Sequence, residues 1–184
     1  MQSAPLIDDG VHTAYKNLIP SHPDFPVPGI DFKDLAPLFA DGERFAATCD
    51  GLCERLQDVA VDFDAVLAVE SRGFVVGAPI ASRLRRGLIM VRKPGKLPGA
   101  TDKFGYTCEY GSGTMEVREG AVTPGRSYLV LDDVLATGGT ARAVADHVAR
   151  MGGVVAGYCF LVELSFLDGR ARLGDAPVVS LIVY

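Results

Sequence analysis

Two adjacent carboxylates, Asp132 and Asp133, stand immediately ahead of a run of small residues, Ala136, Thr137, Gly138, Gly139 and Thr140. Before them Tyr128 to Leu131 form a short apolar, β-forming run that predicts a buried strand ending at the acids. After them Ala141 to Met151 read as a helix, with Val144, Val148 and Met151 on one face. A strand, a tight turn with exposed N–H groups and a helix N-terminus together make an anion cradle. The acids narrow the anion. Carboxylates beside a phosphate repel it unless something between them needs acceptors, and a ribose diol does. A ribose 5-phosphate meets both demands, with its phosphate in the turn and its 2′ and 3′ hydroxyls on Asp132 and Asp133. No Gly-Lys-Ser/Thr follows the glycines and the three-glycine dinucleotide pattern is absent. The plainer alternative is an ordinary strand–helix turn with two solvated aspartates.

A second turn of the same design lies upstream. Ala65 to Val69 predict a short apolar strand, followed by Glu70, Ser71, Arg72 and Gly73 and then a helix over Phe74 to Arg86. Pro79 falls early enough in that helix to be tolerated in its first turn. Leu88 to Val91 predict another strand, and the segment VRKPGKLPG after it carries Arg92, Lys93 and Lys96. Such a run is usually a solvated basic loop. A diphosphate explains it better, because that leaving group needs multivalent positive charge and Mg²⁺.

VLDDVLATGGTA resembles the 5-phosphoribosyl 1-diphosphate (PRPP) signature of the type I phosphoribosyltransferases, and RKPGKLPG and ESRGF are similar to segments of the adenine-specific members. The resemblance implies that Arg72, with Arg92, Lys93 and Lys96, binds diphosphate, that Mg²⁺ is the cofactor, held mainly by PRPP and by no direct protein ligand, and that the Glu70–Ser71 peptide bond is cis. The segment FPVPGIDFKD resembles the N-terminal arm of adenine phosphoribosyltransferases. It implies that Phe32 stacks on the purine while the Asp31 carbonyl and the Lys33 N–H pair with adenine's amino group and N1. A 6-oxo purine would set an acceptor against that carbonyl and leave buried groups unpaired. Asp31 and Lys33 stand where an aliphatic residue and Arg are usual. Taken without the resemblance, four prolines from Pro20 to Pro28 exclude helix and central strand, and Phe25, Ile30 and Phe32 suggest either a stiff arm folded over something or, more plainly, residues of the core.

Residues 97–114 carry four glycines and little periodicity, which predicts a flexible lid loop. Glu109 and Tyr110 match the Glu-Tyr of the resembling family's catalytic loop, with Cys108 in place of Leu. The implied role of Glu109 is proton handling at purine N7 as N9 is glycosylated.

These motifs need a scaffold. Residues 5–18 have helical spacing, as do Glu43 to Val59, while Val154 to Val162 predict a central strand, Gly169 to Leu173 a helical turn and Val178 to Tyr184 a closing strand. Alternating strands and helices imply an α/β fold, a mostly parallel twisted sheet with helices on both faces. The resemblance makes this the type I phosphoribosyltransferase fold with a small N-terminal hood, residues 1–35 over the purine site and residues 36–184 as the core. A chain of 184 residues suits that size, and its net charge of −5 argues against general nucleic-acid binding. No run approaches a membrane span and the start lacks a signal-peptide pattern, so a cytoplasmic protein with no membrane partner is expected. Cys49 and Cys53 have metal-compatible spacing without a second pair to complete a site. Cysteines and histidines therefore read as structural. The expected activity is purine salvage, a glycosyltransferase converting adenine and PRPP to AMP and diphosphate in a homodimer. The alternatives are a 6-oxopurine transferase and a non-catalytic PRPP-sensing regulator, the latter requiring a winged helix or basic face that the sequence lacks.

Overall fold

The computed structural model describes residues 15–108 and 111–184, which form two compact units, Met1–Gly51 and Leu52–Tyr184. In the first unit, the helix expected over residues 5–18 falls largely outside the described residues. Ser21–Pro23 (β1) and Asp31–Lys33 (β2) pair antiparallel, with His22 opposite Phe32. The Phe25–Pro26 peptide bond between them is cis. Helix α1 (Ala36–Ala40) follows. Asp41 then caps helix α2 (Gly42–Asp58), its Oδ1 accepting the Arg44 N–H at 3.1 Å.

In the second unit five strands form one parallel sheet: β3 (Ala65–Val69), β4 (Gly87–Val91), β7 (Ser127–Leu135), β8 (Val154–Glu163) and β9 (Val178–Val183), in the order β4-β3-β7-β8-β9. Every residue of β3 is buried, as expected of a parallel strand covered on both faces. Successive side chains face opposite sides. Leu67 and Val130 join the cluster that includes Val144 and Val148 of helix α4 (Gly139–Arg150). Ala68 and Leu131 lie against Gly77 of helix α3 (Arg72–Arg83), where a Cβ would come within 2.8 Å of Ala68 Cβ. Helix and sheet backbones thus touch where no side chain separates them. Val76 and Ile80 of α3 are fully buried, each burial stabilising the unit by ~1.5–3 kcal/mol.

Helix α4 forms because Ala141, Val144, Ala145 and Val148, at i, i+3, i+4 and i+7, are all buried. It ends in a Schellman arrangement, with the Gly153 N–H donating to the Val148 carbonyl at 2.9 Å and Gly152 at φ +77°.

Three expectations are corrected. The stretch 97–114, expected to be an irregular loop, is largely strand in its described part: Thr101–Cys108 (β5) and Gly111–Arg118 (β6) pair antiparallel as a hairpin. Phe104 of β5 stacks on His147 of α4, with centroids 4.6 Å apart, which docks the hairpin on the helix. Pro79 lies in the interior of α3, not its first turn; the proline has no N–H for the Val75 carbonyl, and Val75 sits at an exposed face. The Glu70–Ser71 bond is not cis. The chain turns there instead through Ser71 at φ +80°, ψ −115°, a conformation that L residues seldom adopt.

Candidate active site

The strand order places the site. From β3 the chain crosses through α3 to β4 on one side, and from β7 it crosses through α4 to β8 on the other. The gap between the carboxyl ends of β3 and β7 is therefore a topological switch point, where open α/β sheets bind ligands. Both predicted anion turns flank it.

Asp132 and Asp133 do not follow the end of their strand, as expected; β7 continues to Leu135. The reason is pairing. The ladder with β8 extends to Leu135 opposite Glu163, while that with β3 stops at Ala68 opposite Leu131. Asp132 is thus the first residue beyond the carboxyl end of the β3 ladder. Its Oδ1 accepts the Asp133 N–H at 2.9 Å. A Cβ on Gly73 would approach that oxygen to 3.0 Å, so glycine brings the start of α3 against the acid. Asp133 is buried and its Oδ2 lies 2.7 Å from Arg72 Nε. Burial, followed by the neighbouring Asp133 charge, raises the proton affinity of Asp132 well above the usual carboxylate range, with Arg72 opposing.

The turn from Ala136 through Thr137 and Gly138 leads into α4, which starts at Gly139, with Thr140 behind it. Gly138 is the N-cap at φ +78°, and no side chain caps the helix. The first N–H groups of any helix have no partner within it, so this end suits an anion. A Cβ on Gly138 would meet the Gly169 carbonyl oxygen at 2.5 Å, and one on Gly169 would collide with the Ala136 carbonyl. The two backbones therefore interlock. A short 3₁₀ turn, Gly169–Arg172, carries that contact and is clamped by Arg170, whose Nε and Nη2 donate to Glu163 Oε1 and Oε2 at 2.6 and 2.7 Å.

The cationic segment stands beside the other turn. Arg92 Nε is 3.4 Å from Glu70 Oε2, and the Lys93 main-chain N–H donates to the same oxygen at 2.7 Å. Arg92 also donates to the Lys96 carbonyl at 3.0 Å and covers the Phe74 ring. Burial alone would raise the Glu70 pKa; the Lys93 N–H and the Arg92 guanidinium outweigh it and hold the group below its ordinary value. The side chains of Lys93 and Lys96 are exposed. Two ion pairs, Arg92 with Glu70 and Arg72 with Asp133, thus stand at the ends of β3, β4 and β7.

Asp31, Phe32 and Lys33 form β2 of the other unit. Phe32 meets Phe25 edge-on, with centroids 5.2 Å apart, and Lys33 Nζ pairs with Asp31 Oδ2 at 2.9 Å. The Asp34 N–H donates to the Pro20 carbonyl, which marks that pair as hydrogen-bonded. Antiparallel alternation then makes His22 and Phe32 the next such pair and turns the Asp31 carbonyl and the Lys33 N–H away from β1. Glu109 and Tyr110 lie outside the described residues.

Sequence reasoning missed two carboxylates. Glu70 and Glu116 brace the cationic segment, and only their glutamate identity signalled it, since their partners lie some twenty residues away in the chain. Also unforeseen was Gly169.

Residues 39–175 match the Phosphoribosyl transferase domain family. The adenine phosphoribosyltransferase of Chloroflexus aurantiacus is 49% identical over 168 residues, covering 91% of this chain and 96% of that protein. The crystal structure of the adenine phosphoribosyltransferase from Thermoanaerobacter pseudethanolicus superposes with a TM-score of 0.89 at 43% identity, over 94% of this chain and 99% of that one. The Saccharomyces cerevisiae enzyme, complexed with D-2,5-dideoxy-2,5-imino-altritol 1,6-bisphosphate and adenine, gives 0.86 at 36% identity, over 95% and 100% of the two chains. With its switch-point acids, its uncapped helix turn and relatives of this closeness, the chain belongs to the adenine phosphoribosyltransferase family, within the type I phosphoribosyltransferase fold.

Proposed function

We propose that this chain transfers the 5-phosphoribosyl group of PRPP to N9 of adenine, releasing diphosphate and forming AMP, a step of purine salvage. The observation that carries the reading is the switch-point arrangement, in which an acidic pair, an uncapped helix turn and a cationic segment converge on the ends of β3, β4 and β7. The 5′-phosphate sits on the turn from Ala136 to Thr140, and the ribose diol hydrogen-bonds to Asp132 and Asp133. Arg72, Arg92, Lys93 and Lys96 receive the diphosphate. Phe32 stacks on adenine, whose amino group donates to the Asp31 carbonyl and whose N1 accepts from the Lys33 N–H. The yeast relative crystallised with adenine supports this choice of base.

The chemistry follows from charge. The bond from C1′ to the diphosphate oxygen breaks and a bond from C1′ to N9 forms, through a cationic, oxocarbenium-like state. The acids place negative charge near that cation. The fixed phosphate supplies the positioning, and Glu109, beside Tyr110, handles the proton at N7. Mg²⁺ would be held mainly by PRPP and keep most of its waters. When bound, it neutralises charge on the departing diphosphate.

The active form is a homodimer. Val75 on α3 and Leu88 and Met90 on the edge strand β4 are more than 40% exposed, apolar surface of a kind that marks interfaces. The buried thiols Cys49, Cys53 and Cys159 fit a reducing, cytoplasmic setting, and no helix among the described residues is long and apolar enough to cross a membrane. The test is incubation with Mg²⁺, PRPP and each purine in turn. AMP from adenine, with hypoxanthine, guanine and xanthine lower by about 10⁴ in kcat/KM, is expected; nucleotide formed as well from a 6-oxo purine overturns the base assignment.

A further inference from the structure

We propose that Glu116, on strand β6, is the positioning residue of the diphosphate segment, an inference that rests on the assignment of Arg92, Lys93 and Lys96 to diphosphate. Glu116 is 1% exposed and belongs to the hairpin. Its main chain exchanges both hydrogen bonds with Arg92, at 2.8 and 2.7 Å. Its side chain reaches the rest of the same segment. Oε1 accepts the Lys96 and Leu97 N–H groups at 3.1 and 3.2 Å, and Oε2 accepts the Thr101 hydroxyl at 3.1 Å. One residue therefore grips the start, middle and end of the stretch from Arg92 to Thr101.

Apart from Glu70, which holds Arg92 and the Lys93 N–H, the Arg92 bond to the Lys96 carbonyl and the Glu119 N–H on the Ala100 carbonyl, that stretch has little else to shape it. Gly95 and Gly99 adopt φ +79° and +78°, and neither has an atom near the position of a Cβ. Residues 93–96 are exposed. An unbraced loop of this kind samples many shapes, and each one carries Lys93 and Lys96 to different places. The carboxylate removes that freedom. Burial alone would favour its protonated form, but the Lys96 and Leu97 N–H groups, the Thr101 hydroxyl and, last, the Gly95 N–H outweigh this and hold its pKa below the ordinary value. Its charge is met by N–H and O–H dipoles, with no ion pair among the described residues, so it holds the main chain without consuming an ammonium group. The side chains of Lys93 and Lys96 stay exposed.

The inference separates ligands. PRPP and diphosphate engage the segment; AMP shares the 5′-phosphate turn but has no diphosphate. Dissociation constants for PRPP with Mg²⁺, diphosphate with Mg²⁺ and AMP, together with melting temperatures, are measured for Glu116→Ala and Glu116→Gln. Glu116→Ala is expected to weaken PRPP and diphosphate about tenfold or more, since small misplacements of binding groups are that costly, and to leave AMP within about twofold. Glu116→Gln restores most of the PRPP affinity, because its amide oxygen accepts the two main-chain N–H groups. Equal weakening of AMP and PRPP, or unaltered PRPP binding, overturns the proposal. Should Glu116→Ala not fold, Thr101→Val removes one of the three bonds and must weaken PRPP and not AMP; no change there also overturns it. A Lys93→Ala, Lys96→Ala double variant tests the underlying assignment. If it binds PRPP normally, the segment is not the diphosphate site. If it loses PRPP while Glu116→Ala retains it, only the positioning role fails.

Discussion

Gly169 touches no proposed ligand, yet its replacement by alanine should disable phosphate binding. Its φ is not in the left-handed region, so alanine adopts the backbone without strain. The obstruction is steric. A Cβ there collides with the Ala136 carbonyl and lies 3.0 Å from Leu135 Cδ1. The leucine can rotate away, but the carbonyl is main chain of the phosphate turn. The 3₁₀ turn cannot retreat easily either, because Arg170 clamps it to the buried Glu163. Restoring an ordinary contact of about 3.5 Å demands a relative shift on the order of 1 Å. Overpacking of that size costs roughly 1–3 kcal/mol of stability, a melting point lower by about 2–12 °C. A displacement of about 1 Å in a positioning element costs about 10²-fold in rate, equivalent to ~2.7 kcal/mol of transition-state stabilisation. Calorimetric titration with AMP and PRPP and steady-state kinetics supply the assay. Both ligands should weaken together, since both place a 5′-phosphate on the turn. Undiminished AMP affinity in Gly169→Ala, with or without a lower melting point, refutes the interlock as a determinant of binding.

Other expectations are more compact. Asp132→Asn should stabilise the fold at pH 7 by on the order of 1 kcal/mol while reducing kcat/KM, as denaturant titrations beside kinetics will show. The sign follows from the raised proton affinity of Asp132: the folded state ionises it at a cost that grows as pH rises from about 4 through the folded pKa, so the gain should vanish in acid. Glu109→Gln should lower turnover about 10²–10⁴-fold with PRPP binding retained; equal activity removes Glu109 from the chemistry. His147 is held neutral, first by burial and then by Arg150, against Asp102. Its folded pKa lies below the unfolded value, so stability should fall as pH drops through about 6.5. His147→Gln should lose that slope, and an unchanged slope would show that another group governs acid unfolding.

The strands that were most legible are those buried on both faces. Ala65–Val69 is a continuous apolar run and folds over those same five residues. In β7 the apolar signal ends at Leu131, but the partner β8 carries pairing four residues further, through two acids that no propensity scale would place in a strand. The hairpin was hidden for a related reason. Gly105, Gly111 and Gly113 interrupt its alternation, and what stabilises it, Phe104 on His147, lies on a helix more than forty residues away. Within the site, the chemical groups were readable because their types are constrained by charge. The braces were not: Glu70, Glu116 and Gly169 act through contacts distant in sequence, and a lone carboxylate or glycine looks the same whether or not it supports anything.

Strand β7 occupies the centre of the sheet but is made after β3 and β4, since residue 127 must leave the ribosome before it exists. Of the five-stranded sheet, a nascent chain shorter than this has only the β3–β4 pair, with one flank of β3 exposed, and must wait for its middle. The same strand bears both acids. Completion of the sheet's interior and assembly of the proposed sugar-binding groups therefore depend on the same strand.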